Sequence, residues 1–157
     1  MTTTANPPSV IDEGAHTVTR TVSISAPIEK VWAAITQAEH IARWFGQSAV
    51  LDELAVGARG VLTFDGYGDF PLRVEELDPP RTITYRWGND HARPVELDPQ
   101  HSTVFRFTLE PVDGGTRLTV VESGFQHLAD PAASMEDNRA GWDHELDELV
   151  AYLEGEL

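Results

Sequence analysis

Six short stretches follow one another between residues 47 and 123, each rich in Val, Ile, Thr, Phe or Tyr: QSAVL, GVLTFD, LRVEELD, TITYRW, TVFRFTLE and TRLTVVES. β-Branched and aromatic residues favour extended backbone, and the intervening AVGARG, DPPR and PVDGG supply turn chemistry. The DPPR and DGGT turns are short enough for antiparallel hairpins, so the strands predict a meander with one dry face, and that face needs a cover. The end of the chain offers one. In GWDHELDELVAYLEGEL, residues 141–157, Trp142, Leu146, Leu149, Val150 and Leu153 recur at helical spacing, while Asp143, Glu145, Asp147, Glu148 and Glu154 point elsewhere. A terminal helix laid along the sheet satisfies both halves of the pattern, with the Trp142 stripe inward and the acidic side toward water. ADPAASMED begins that helix, with Asp130 or Ser134 placed to accept from free N–H groups and Pro131 suited to the first turn.

Ahead of the six strands, HTVTRTVSIS alternates as a half-buried strand does, with Val18, Val22 and Ile24 on one face and Arg20 as the exception on it. Pro27 then opens IEKVWAAIT, where Ile28, Val31, Trp32 and Ile35 fall at helical spacing, and AEHIARWF reads as a second short helix ending at Gly46. Residues 1–15 are small, polar and proline-containing and read as a flexible tail, leaving a single domain over residues 16–157. The expected fold class is therefore α+β: a seven-stranded antiparallel sheet wrapped around a long C-terminal helix, with two short helices after the first strand.

Charge narrows the range of partners. The chain carries 26 acidic and 11 basic residues, a formal net charge of −15, and Lys30 is its single lysine. Phosphate recognition needs clustered cations, so neither nucleic acid nor an anionic membrane is an expected partner. Zero cysteines exclude disulfides and thiol chemistry. The first residues lack the basic start and apolar centre of a secretory signal, so the expected location is the cytoplasm.

Strand alternation places Ile83, Tyr85 and Trp87 on one face, Phe105, Phe107 and Leu109 on the next, and Leu118, Val120 and Glu122 on the third. If those faces are the concave ones, Tyr85, Trp87 and Phe105 meet Met135, Trp142 and Leu146 of the helix, and Trp32, Trp44 and Phe45 close one end. Such a lining suits an apolar or aromatic ligand, and it equally describes a filled core. Glu122 shares its parity with Leu118 and Val120, which aims a carboxylate into apolar space. Arg139 is its natural partner, with Asn138 alongside, and the two would form an anchor for a ligand head group or a general acid/base. The alternative is Glu122 at the strand end in water. His91 and His101 share a polar loop with Asp90 and Asp98, but their spacing matches no ordered metal pattern. No nucleophile motif and no phosphate-cradling glycine loop is present, so no catalytic residue, cofactor or metal is expected.

ISAPIEKVWAAIT, the RWF at 43–45, VEELDPPRTITYRW, VFRFTLEPVDGGTRLTVVESGF and GWDHELDELVAYLEG all fall within residues 16 to 155. In content and order this set resembles the SRPBCC or START-like superfamily with its helix-grip fold, also that of the birch-pollen allergen. More narrowly it is similar to the family named after the activator of the heat-shock-protein-90 ATPase, as a single-domain, bacterial-type member. The resemblance implies a cavity between sheet and helix that holds a small hydrophobic or aromatic molecule. It also leaves open a polyketide cyclase or dehydratase-like enzyme and a chaperone-associated stress protein, with a protein partner or a second copy of the chain alongside the ligand.

Overall fold

The computed structural model describes residues 6–46, 48–64, 66, 68–88 and 97–155. In chain order the elements are β1 (Val10–Asp12), β2 (Thr17–Ile24), α1 (Ile28–Thr36), α2 (Ala38–Trp44), β3 (Ser48–Leu51), β4 (Arg59–Phe64), β5 (Gly68–Asp78), β6 (Thr82–Gly88), β7 (Ser102–Val112), β8 (Gly115–Ser123), a 3₁₀ turn at Phe125–His127, and α3 (Pro131–Leu153). All neighbouring strands pair antiparallel, in the order β1-β2-β8-β7-β6-β5-β4-β3. The helix-grip arrangement expected from the sequence is the one found, with α3 against the concave face. No helix among the described residues is long and apolar enough to cross a membrane.

One correction concerns the start of the chain. Among the described residues the sheet has eight strands rather than seven, because Val10–Asp12, inside the supposed tail, pairs with β2 through Val10↔Thr19, Ile11↔Val18 and Asp12↔Thr17. The backbone N–H of Ser9 also donates to Asp143 Oδ1 at 2.6 Å, and Asn6 Oδ1 accepts from Ser23 N at 2.9 Å. Three residues are too few to display alternation, and only Ile11 of the three packs against the core.

From β3 to β8 each strand pairs with the next in sequence. The β7–β8 turn brings Gly114 to φ 83°, a backbone region that favours glycine. A register shift between Val74 and Glu76 bulges β5, and bulges increase local twist and bend a strand. The α3 stripe then meets the concave face: Trp142, Leu146 and Leu149 are buried, with Val150 and Leu153 partly so. Each fully buried side chain of this size contributes about 1.5–3 kcal/mol. Asp130 caps α3 by accepting from Ala133 N at 3.1 Å, with Pro131 directly after it.

Arg20, the inward exception on β2, is 4% exposed and fully engaged. Its guanidinium donates to Pro7 O (2.9 Å), Trp142 O (3.2 Å), Asp143 O (2.8 Å) and Asp147 Oδ1 (2.7 Å). A planar fork with several donors suits this task, since each buried N–H needs an acceptor. Arg20 thereby ties β2 to the middle of α3.

A candidate ligand cavity beside a buried carboxylate

Alternation along β8 carries Leu118, Val120 and Glu122 to the concave face, and register sets Glu122 opposite Phe105 on β7. Glu122 is 0% exposed, which excludes the alternative of a strand end in water. Its partners come from three other elements. Trp142 Nε1 donates to Oε1 at 2.8 Å, Trp87 Nε1 to Oε2 at 2.9 Å, Asn138 Nδ2 to both oxygens at 3.0 Å, and the Thr103 hydroxyl to Oε2. Asn138 and Trp142 lie four residues apart and so share one face of α3. Burial pushes the Glu122 carboxyl pKa up, and the hydrogen bonds from Thr103, Trp87, Trp142 and Asn138 oppose that rise.

Arg139 is not the partner of Glu122. Its guanidinium pairs with Glu136 and, at 3.2 Å, with Asp143 Oδ2, on a more exposed part of α3. The physical reason is helical phase: position 138 faces the same side as 142, whereas 139 is rotated about 100° away from 138. The amide next to the expected arginine therefore supplies the contact, and a neutral donor takes the place of a cation.

Beside this carboxylate lies a cavity of about 70 Å³, lined by Phe45, Phe64, Trp87, Asn138, Gly141, Trp142 and Glu145. The rings pack around it, with centroids 5.5 Å apart for Phe45–Trp87 and for Phe45–Trp142, 5.4 Å for Phe45–Phe64, 6.2 Å for Phe64–Trp87 and 6.5 Å for Trp87–Trp142. On α3 the lining residues 138, 141, 142 and 145 follow an i, i+3, i+4, i+7 pattern, which is one helical face. A Cβ added at Gly141 would meet nothing within 4 Å, so the missing side chain leaves the cavity its room.

Glu145 corrects the sequence reading of α3. It was expected on the water-facing acidic side, yet it is only partly exposed and lines the cavity. Burial, together with the nearby Glu148 charge, pushes its carboxyl up to about 7. Sequence reasoning passed over Phe64, Gly141 and Glu145. Phe64 shares the parity of buried Leu62, and Glu145 falls three residues after Trp142; both signals were present and both needed a partner surface to acquire meaning.

The remaining sequence candidates divide by place. Phe45, Trp87 and Trp142 line the cavity. Trp44, Tyr85, Phe105 and Phe107 pack around a void of only about 10 Å³, too small to hold more than a water. There Trp44 Nε1 donates to Ala34 O at 2.8 Å and Tyr85 OH to Ile35 O at 2.6 Å, which satisfies carbonyls in the last turn of α1. Val120, Met135 and Leu146 are buried core, and Trp32 is partly buried against it. Asp90 and His91 lie outside the described residues; His101 Nδ1 lies 2.9 Å from Asp98 Oδ1.

With this architecture established, comparison with known families is decisive. The model of the Activator of Hsp90 ATPase homolog 1-like proteins matches residues 25–154. The chain belongs to this family. The matched range holds every lining residue of the cavity and all four donors to Glu122. Among solved structures, protein MLL2253 from Mesorhizobium loti is similar with 30% identity and a TM-score of 0.74, covering 88% of this chain and 96% of that one. DynU16, described as a putative protein in the dynemicin biosynthetic locus, shares 26% identity at a TM-score of 0.70, with 88% of this chain and 47% of its own covered. The Aha1 dimer from Colwellia psychrerythraea shares the fold at 21% identity and a TM-score of 0.71, covering 89% and 97%. No curated protein matches the sequence.

Proposed function

We propose that this family member binds a small molecule whose apolar or aromatic part enters the cavity between the sheet and α3. The observation that carries the reading is the opening at Gly141: a space of about 70 Å³ walled by aromatic rings, beside a core whose neighbouring void is only about 10 Å³. A dry cavity of about 150 Å³ admits benzene. At roughly half that volume, this one takes one end of a ligand and leaves the rest at the mouth. The similarity to a putative protein in the dynemicin biosynthetic locus is in keeping with a small-molecule ligand.

The test is titration of the full-length protein with benzyl alcohol, followed by tryptophan fluorescence, since Trp87 and Trp142 both border the site. Saturable change in the wild type that is lost in Gly141→Leu supports the cavity; an unresponsive wild type counts against it. Native mass spectrometry of the same preparation reads any co-purified molecule and the oligomeric state, and so addresses a second copy of the chain as partner.

A second reading, an enzyme of the cyclase type, is favoured by one observation: two carboxyls with raised pKa, Glu122 and Glu145, flank the same cavity wall. Against it, both oxygens of Glu122 already accept from protein donors, which among the described lining residues leaves Glu145 as the carboxyl with capacity for a substrate. Turnover of a polyketide-like substrate that disappears in Glu145→Gln would establish the enzymatic reading.

A further inference from the structure

Resting on the reading that the cavity binds a small molecule, we propose that the end it receives is a cationic one, an alkylated ammonium head group held by aromatic faces and the Glu145 carboxylate. Among the described residues, four of the seven that line the cavity are aromatic, and none is Lys or Arg. The indole N–H groups of Trp87 and Trp142 are both committed to Glu122, so the positive edges of these rings are turned to the carboxylate. Donation to a carboxylate also adds electron density to the indole, and a ring of that kind attracts a cation at its face.

The charge balance points the same way. Glu145 is the one charged side chain of the lining, and it has no hydrogen bond or ion pair among the described residues. Glu122 lies behind the wall, held by neutral donors alone. The nearest cation on the same helix, Arg139, is taken by Glu136 and Asp143, and Arg20 by Asp147 and Asp143. An anionic head group would meet uncompensated carboxylates here, whereas a cation supplies the charge the site lacks. The net charge of −15 favours the approach of a cation as well.

Choline and its carbon isostere 3,3-dimethylbutan-1-ol differ only in whether the quaternary centre is nitrogen or carbon. Each is titrated into the full-length protein at alkaline pH, where Glu145 is ionised, with the indole N–H resonances of Trp87 and Trp142 as the readout. Choline is expected to bind roughly tenfold or more tightly than the isostere, the scale of a desolvated cation–aromatic contact. In Glu145→Gln that preference should shrink severalfold. Equal or tighter binding of the isostere to the wild type overturns the cationic inference and leaves the cavity reading intact. Failure of both compounds to shift the indole signals overturns the two together. A choline preference undiminished in Glu145→Gln overturns the assignment of that carboxylate.

Discussion

Trp142 Nε1 donates to Glu122 Oε1 at 2.8 Å, joining the residue that anchors α3 to a carboxylate buried at the end of β8. The ring of Trp142 lies 5.2 Å from that of Phe105 and 6.5 Å from that of Trp87, centroid to centroid. One side chain therefore holds the helix on the sheet, partners the buried carboxyl and forms a wall of the cavity.

Trp142→Ala is expected to cost about 3–5 kcal/mol, the usual range for deleting a buried aromatic side chain. Trp142→Phe keeps most of the ring and removes the N–H, so its cost should be about 1–3 kcal/mol, the penalty for depriving a buried acceptor of one donor. Urea denaturation of both variants checks the order. An alanine variant as stable as the wild type would mean that α3 does not depend on this contact.

Glu122→Gln retains shape but sets an amide NH2 among groups that donate. At least one of Trp87, Thr103, Asn138 and Trp142 then loses its acceptor, and the expected loss is about 1–3 kcal/mol at neutral pH. Chemical denaturation supplies the number, and the indole N–H resonances of Trp87 and Trp142 should both move.

Glu145 links stability to pH. Its carboxyl rises from the ordinary 4.5 to about 7 in the folded chain, so the folded state binds the proton more tightly than the unfolded one. The associated stabilisation is fully present below the unfolded pKa and is lost as pH rises through the folded value. Compared with Glu145→Gln, the wild type should therefore lose about 1–2 kcal/mol between roughly pH 4 and pH 8, after allowance for solvent screening at the half-open mouth. Parallel thermal denaturation profiles of the two proteins across that interval test the sign; parallel curves would remove Glu145 as the cause.

Gly141→Ala separates stability from binding. The added methyl meets no atom within 4 Å, and alanine in a helix interior is favoured over glycine by roughly 0.5–1 kcal/mol. The variant should melt higher and take up benzyl alcohol more weakly than the wild type. Higher stability with undiminished uptake would place the ligand elsewhere.

Local periodicity determined much of this protein. Alternation in TITYRW, TVFRFTLE and TRLTVVES named the inward faces, and the spacing from Trp142 to Leu149 named the helix stripe, because side-chain direction follows from the backbone repeat alone. The family resemblance was legible for the same reason, since its motifs are contiguous runs. What the tertiary structure decided involves residues far apart in sequence. Ile11 joined the sheet through Val18, Arg20 found its acceptors on α3, and Glu122 drew donors from β6, β7 and α3. Asn138 took the place expected of Arg139, and Glu145 turned from the solvent side to the cavity, because helical phase against the facing sheet selects among adjacent residues. A polar side chain announces its need for a partner in the sequence, but which partner meets that need is fixed only when separate elements are brought within hydrogen-bonding distance.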